Sequence, residues 1–255
     1  MLRGLALKQI LNLFPYEKRE NALRIVMASV GIGETTLTRE ASHFAQLLGH
    51  KNTSPLILDV GANSGLWSKE LSSLLRDVRI HMFEPSVNLH DILEHLANTS
   101  HPNLTIHRYG LSGDGRECFL YSPSLASGAA SIIESENLDY KFREVIQTKT
   151  LESVLIALPD CLGIKFDIEG AELEVLTSGY DAIKKSKVKV IQFEFGEKTT
   201  LLNQNFWQFY NLFSSLNFEL FRSTPTGLHN IREYSRFQEI HINTVYFAAR
   251  TKEYH

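Results

Sequence analysis

The stretch Pro55-Leu56-Ile57-Leu58-Asp59-Val60-Gly61-Ala62-Asn63-Ser64-Gly65-Leu66-Trp67-Ser68 decides the fold of this chain. An apolar run of strand-forming residues ends at Asp59, and a turn bracketed by Gly61 and Gly65 follows it. A helical pattern then begins at Leu66. This order of strand, glycine turn and helix is typical of the first βα unit of a nucleotide-binding α/β fold.

The glycines of this turn narrow the choice of ligand. A dinucleotide fingerprint needs three glycines spaced G-x-G-x-x-G, and here only Gly61 and Gly65 are present. The Asp59 carboxylate and the N–H groups of the loop suit a ligand that carries both an amino group and a carboxylate, such as the amino-acid end of S-adenosylmethionine. The residues predicted to bind this cofactor are Asp59, Val60, Gly61, Ala62, Asn63, Gly65 and Ser68.

An acidic residue follows the second predicted strand, residues 78–83. The interval from Gly65 to Glu84 matches the one, about 20 residues, at which nucleotide-binding folds place an acid on the ribose hydroxyls. A carboxylate in that place accepts hydrogen bonds from both hydroxyls. Glu84, with Pro85 and Ser86 in the turn after it, is therefore predicted to contact the cofactor; the alternative is an exposed acid at a strand end.

Charged residues alternate along the fourth predicted strand, residues 163–169, so that Lys165, Asp167 and Glu169 share one face. A central parallel strand is normally apolar on both sides, and such a conflict is expected at a functional site. Glu194, from the fifth predicted strand, points toward the same edge. Asp167 is predicted to be the catalytic base or a metal ligand and to contact the cofactor. Lys165, Glu169 and Glu194 are further catalytic candidates. The alternative is an internal ion-pair network, such as Lys165 with Glu194.

Five motifs occur in the order and spacing of the FkbM family of S-adenosylmethionine-dependent methyltransferases, and the chain resembles that family over roughly residues 55 to 250. One D-x-G-x-x-x-G motif is weak evidence, because it occurs in many unrelated α/β proteins, but five in register are specific. The motifs are Asp59-Val60-Gly61-Ala62-Asn63-Ser64-Gly65, Phe83-Glu84-Pro85-Ser86, Tyr109-Gly110-Leu111-Ser112, Lys165-Phe166-Asp167-Ile168-Glu169-Gly170-Ala171-Glu172 and Gln192-Phe193-Glu194-Phe195.

The resemblance implies a three-layer, Rossmann-like class I methyltransferase fold, with a mostly parallel seven-stranded sheet and a C-terminal antiparallel strand. It also implies that Gly110, Leu111 and Ser112 border the adenine, and that the reaction is O-methylation of a hydroxyl on a sugar, glycan or secondary metabolite. Two alternatives stay open. A nicotinamide-dependent oxidoreductase should show the third glycine of its fingerprint, and a non-catalytic nucleotide-binding module would lose the charged strand end.

Composition limits the remaining choices. The chain has 255 residues, of which 43% are hydrophobic and 22% charged, enough for one α/β domain with extensions. A net charge of −3 argues against nucleic acid as a partner. Cys118 and Cys161 are too few for a disulfide framework or a zinc cage and suit a reducing cytoplasm. The expected partner is a small-molecule or glycan acceptor.

Residues 1–50 are predicted to form a helical N-terminal extension in front of a methyltransferase domain at residues 51–255. The extension is expected to serve substrate selection or assembly, including a homo-oligomer, and not cofactor binding. A secretory signal at residues 1–14 is disfavoured because Lys8, Gln9 and Asn12 interrupt its apolar run. No stretch approaches the roughly 20 apolar residues of a membrane span, and a cytoplasmic protein without a transmembrane segment is predicted.

Two features stay undecided in the sequence. The histidines lack the spacing of a zinc site, but a magnesium ion held by Asp167 and neighbouring carboxylates remains an alternative because oxygen ligands suit it. The small-residue loop at residues 124–131 is either a lid or substrate loop beside the cleft or a plain connector.

Overall fold

A central eight-stranded sheet organises the computed structural model, which describes residues 14–33, 39–49, 54–99, 103–125, 127–134 and 140–250. The helices in chain order are α1 (Tyr16–Ser29), α2 (Glu40–Leu48), α3 (Leu66–Leu74), α4 (Val87–Thr99), α5 (Leu151–Ala157), α6 (Glu172–Ser178), α7 (Tyr180–Lys185), α8 (Glu197–Leu201) and α9 (Phe206–Ser215), and a 3₁₀ turn spans Arg236–Gln238. The strands are β1 (Leu56–Val60), β2 (Arg79–Phe83), β3 (Leu104–His107), β4 (Gly110–Leu111), β5 (Cys118–Ser122), β6 (Phe142–Ile146), β7 (Thr148–Lys149), β8 (Cys161–Phe166), β9 (Val190–Phe195), β10 (Glu219–Thr224), β11 (Gly227–Ile231) and β12 (Thr244–Ala249).

The strand order in the large sheet is β11-β10-β12-β9-β8-β1-β2-β3. The five strands from β3 to β9 run parallel, and β12 is antiparallel to β9. The predicted mostly parallel, Rossmann-like sheet with a C-terminal antiparallel strand is confirmed. The predicted count of seven strands is wrong, because β11 pairs antiparallel with β10 and adds an eighth. Its polar sequence carries little strand signal, as is common for a strand at the edge of a sheet.

Two apolar layers cover the two faces of the sheet. Alternation along β1 divides its side chains, since Leu58 and Val60 belong to one buried cluster and Ile57 to the other. The first layer includes the aromatic side chains of α9, such as Phe209, whose ring stacks on Phe193 of β9 at 4.9 Å. Burying one such side chain contributes about 1.5–3 kcal/mol. The aromatic pattern of α9 therefore belongs to the core.

Helix α2 is packed on the sheet as part of the second layer. Phe44 is fully buried, meets the Trp67 ring edge-on at 5.1 Å and occupies the space that a Cβ at Gly163 would fill. In contrast, α1 has no buried residue. The domain boundary at residue 50 stays a prediction, and a cut there would remove Phe44 from the core. The secretory signal and the start of the helix predicted at residues 35–48 lie outside the described residues.

No helix in the described ranges has the length and hydropathy needed to cross a membrane.

Candidate active site at the carboxyl edge of the sheet

A cavity of about 600 Å³, part of it open to solvent, lies at the carboxyl edge of the parallel strands. Seven of the residues predicted from the sequence line it: Gly61, Asn63, Glu84, Pro85, Gly110, Leu111 and Asp167. They come from the turns after β1, β2, β3 and β8. The topology thus brings four separate motifs to one place, as expected for the strand ends of an open α/β sheet.

The turn after β1 is in direct contact with the turn after β8. Gly61 has φ +78°, and a Cβ there would clash with the backbone carbonyl of Asp167. The Asp167 N–H donates to the carbonyl of Val60 at 3.0 Å. A glycine is required at residue 61 because both the positive φ and the close approach exclude a side chain.

The backbone N–H groups of this loop are largely used within the protein. Those of Gly61 and Ala62 both donate to the Phe83 carbonyl, at 3.0 and 3.1 Å. We expected them to be available to a ligand carboxylate, and this expectation is wrong for these two groups. Helix α3 begins after Gly65 and has no side-chain cap.

Glu84 lies on the cavity wall, and two backbone N–H groups fix the orientation of its carboxylate. The Asn63 N–H donates to Oε2 at 2.8 Å, and the Ser86 N–H donates to Oε1 at 2.9 Å. The residue is 6% exposed, and burial raises the pKa of its carboxyl although these two hydrogen bonds oppose the shift. The remaining lone pairs of both oxygens are fixed in orientation and can accept further hydrogen bonds.

Lys165 lies beneath the cavity and joins two carboxylates. Its Nζ is 3.1 Å from Oδ1 of Asp59 and 3.3 Å from Oδ2 of Asp167. It also donates to the carbonyl of Gly61 at 3.3 Å. Burial alone would lower the pKa of this ammonium, but Asp59 and Asp167 outweigh burial and raise it. The suggested pairing of Lys165 with Glu194 is therefore wrong, and the ion-pair network runs to β1 instead.

Asp59 is fully buried and accepts a hydrogen bond from Ser68 Oγ at 2.7 Å as well as the one from Lys165. Its carboxylate lies behind the cavity wall. Six other predicted contacts do not line the cavity either: Val60, Ala62, Gly65, Ser68, Ser86 and Ser112. Of these, Ser112 is bound to Thr148 Oγ1 at 2.6 Å.

The charges after β8 do not share a strand face, because β8 ends at Phe166 and a turn follows. Glu169 has φ +57°, so the alternation of a strand does not continue through it. Glu172 fixes this turn by accepting the N–H groups of Ile168 at 2.9 Å and Gly170 at 2.8 Å. Asp167 lines the cavity with its side chain 44% exposed, whereas Glu169 pairs with Lys198 at 2.8 Å. The sequence analysis did not assign the role of Glu172.

Glu194 is a half-buried acid surrounded by other acids. Burial, followed by the charges of Asp167, Glu169, Glu172 and Glu40, raises its pKa to about 9 from an ordinary value of 4.5. The carboxyl is therefore protonated at neutral pH, which makes it a hydrogen-bond donor and not a base.

Replacing Glu194 by glutamine is expected to raise the free energy of unfolding at pH 8 by about 1–3 kcal/mol. The folded protein holds this proton up to a pKa of about 9, whereas the unfolded chain releases it near 4.5. The stability that this proton provides is thus complete below pH 4.5 and declines as the pH rises toward 9. Urea denaturation at pH 5 and pH 8 measures the change. The gain in the free energy of unfolding should be larger at pH 8 than at pH 5. An equal gain at both pH values would contradict the raised pKa, and so would the same gain in the exposed control variant Glu152→Gln.

Apolar walls complete the cavity, and the sequence analysis missed them. Leu120 of β5 and Ile146 of β6 line it, together with Ile132. The strands β5 and β6 pair antiparallel in a separate two-stranded sheet. The small-residue loop at residues 124–131 contributes Ser127 and Gly128, so its described part borders the cleft.

Metal ligands do not cluster in the part of the chain that the structure describes: no group of three or more His, Cys, Asp or Glu side chains there could hold an ion. The magnesium alternative gains no support from this geometry.

The family model of the methyltransferase FkbM domain matches residues 59–234. No curated protein matches the chain in sequence. In fold, the chain is similar to a precorrin-6y C5,15-methyltransferase from Geobacter metallireducens (15% identity, 85% of this chain, 93% of that chain, TM-score 0.41). It is also similar to a human methyltransferase 10 domain containing protein (10% identity, 81% and 77%, TM-score 0.42) and to a spermidine synthase from Thermotoga maritima (12% identity, 86% and 61%, TM-score 0.43).

Proposed function

Because the chain belongs to the family of FkbM-domain methyltransferases, we propose that it binds S-adenosylmethionine in the cavity at the carboxyl edge and methylates a hydroxyl oxygen. The acceptor in this proposal is a sugar, a glycan or a secondary metabolite. We place the catalytic domain at residues 51–255, with residues 1–50 as its N-terminal extension.

The observation that carries the proposal is the pair of carboxylates on one cavity wall. Glu84 follows β2 and Asp167 follows β8, and Gly61 lies between them in the turn after β1. The cavity residues fit the cofactor. Glu84 can accept hydrogen bonds from the ribose hydroxyls, and Leu111, Leu120 and Ile146 provide apolar surface for the adenine. The negative charge of Asp167 suits a ligand whose other end carries a sulfonium and an ammonium group.

When bound, the cofactor supplies an electrophilic methyl group. The task of the protein is to align the acceptor hydroxyl and to receive its proton. Asp167 is an exposed carboxylate of the cavity, and the Lys165 ammonium lies 3.3 Å from its Oδ2. In the proposed reaction Asp167 would receive the proton of the acceptor hydroxyl as that oxygen takes the methyl group that the bound cofactor would supply. Lys165 acts here by positioning and charge.

The test is calorimetric titration of the protein with S-adenosylhomocysteine and with NAD. The proposal expects binding of the first and none of the second, because the turn after β1 lacks the third glycine of a dinucleotide site. Mass spectrometry of hydroxylated acceptors then looks for the gain of one methyl group. Binding of NAD alone would replace the proposal with an oxidoreductase.

Removing the Glu84 carboxylate is expected to weaken binding of S-adenosylhomocysteine by about 1.5–3 kcal/mol, which is roughly 10- to 100-fold. The reason is the loss of both acceptors for the ribose. Glu84→Ala is measured by calorimetry against Glu144→Ala, whose carboxylate accepts the Val87 N–H at 2.9 Å and the Ser86 hydroxyl at 3.2 Å but does not line the cavity. Equal affinities in the two variants would refute the ribose assignment.

A further inference from the structure

Residues 127–134, hereafter the cover segment, lie over one side of the cavity. Ser127, Gly128, Ala130 and Ile132 contribute to its lining. Gly128 approaches the loop after β1 so closely that a Cβ there would stand 3.1 Å from Nδ2 of Asn63. A ligand held by that loop is therefore in reach of the cover segment.

Two sets of bonds hold the cover segment at its middle. Ser131 pairs with Tyr121 of β5 through two backbone hydrogen bonds of 2.8 and 2.9 Å. The Ser131 hydroxyl also donates to the backbone carbonyl of Glu169 at 2.8 Å. These bonds connect the cover segment to the hairpin on one side and to the turn after β8 on the other.

Lys198 of α8 makes the connection that involves charge. Its Nζ donates to the carbonyl of Ala129 at 2.9 Å and pairs with Oε2 of Glu169 at 2.8 Å. Both side chains are 17% exposed, so solvent screens this pair less than a surface pair. One ammonium thus joins the cover segment to the turn that carries Asp167.

We infer that Lys198 is a positioning residue of the cofactor site, which holds the cover segment closed and limits the rate of cofactor exchange. The inference rests on the proposed function only for the identity of the ligand. Without the ammonium, the Ala129 carbonyl loses its donor and Glu169 keeps an unpaired, half-buried charge. The cover segment then keeps the Ser131 bonds but loses its charged connection, and it opens more often.

The kinetic test is Lys198→Met, which keeps the length and apolar stem of the side chain. Stopped-flow measurement should show S-adenosylhomocysteine dissociating about tenfold faster, as expected for the loss of a charge-assisted bond. The KM for the cofactor should rise while kcat does not fall. Lys198→Arg should restore the wild-type rate. Lys187→Met removes an exposed ion pair with Asp160 and serves as the matched control, expected to leave the rate unchanged.

Amide hydrogen exchange in the absence of any ligand tests the same coupling without assuming the cofactor. Exchange at residues 127–134 should accelerate in Lys198→Met and not in Lys187→Met. Unchanged exchange together with an unchanged dissociation rate would reduce Lys198 to a structural contact and overturn the inference. If Lys198→Met does not fold, Lys198→Gln, which also removes the charge, is measured in its place. Faster exchange in a protein that binds no S-adenosylhomocysteine would refute the proposed function and leave the coupling intact.

Discussion

Replacing Asp167 by asparagine is expected to lower the turnover of the methyl transfer by about 10²–10⁴-fold, the usual contribution of a general base. Asparagine keeps the size of the side chain but cannot receive the acceptor proton. The affinity for S-adenosylhomocysteine should be largely preserved, because Glu84 and the apolar walls remain. The experiment measures kcat with an acceptor that the protein methylates, and it measures the dissociation constant of S-adenosylhomocysteine by calorimetry.

Three results would separate the possible roles of Asp167. A loss of cofactor affinity with little change in kcat would assign Asp167 to the cofactor ammonium. Chelator sensitivity of the wild type, restored by magnesium, would assign it to a metal. Normal turnover in Asp167→Asn would move the catalytic role to Glu169. Asp160→Asn, at an exposed ion pair next to the other end of β8, controls for the substitution itself.

Replacing Lys165 by methionine is expected to lower the free energy of unfolding by about 3–5 kcal/mol, because it leaves a buried carboxylate without its counter-charge. Lys165 is 4% exposed and Asp59 is fully buried, so water cannot replace the ammonium. The pair joins β1 to β8 at the centre of the sheet, next to the cavity. Urea denaturation at neutral pH measures the loss.

A double variant distinguishes the lost charge from lost packing. Lys165→Met with Asp59→Asn removes both charges, so we expect it to be more stable than Lys165→Met alone, and the double-mutant cycle to give a coupling energy of about 0.5–3 kcal/mol. If the effects of the two substitutions were additive, or if Lys165→Met cost less than about 1 kcal/mol, the attraction between the two charges would not stabilise the fold.

The strands of the sheet were predictable where the local residue pattern matches the place of the strand in the sheet. The apolar run before Asp59 and the glycines after it indicated β1 and its turn, and the structure places them there. The strand β11 was not predictable in this way, because its pairing with β10 depends on contact across a turn and not on apolar alternation. The pairing of β6 with β5 was not predictable for the same reason.

The site residues were also predictable only in part. Motif spacing placed Glu84 and Asp167 on one edge of the sheet, and both line one cavity. Period-two alternation was wrong for Glu169, because the strand ends at Phe166 and a left-handed residue follows. The sequence signal for that end was Gly170 together with Glu172, whose side chain returns to the N–H groups of the turn.

The position of β12 has a consequence for how the protein is made. This strand is the last along the described chain, yet it lies between β9 and β10, so the ribosome releases both of its neighbours before it. The chain from Thr224 to Thr244 takes about one to four seconds to synthesise at 5–20 residues per second. During that interval β9 and the β10–β11 hairpin each have one strand edge without a partner, because β12 pairs with both edges. Chaperone binding to nascent chains should therefore peak just before β12 emerges.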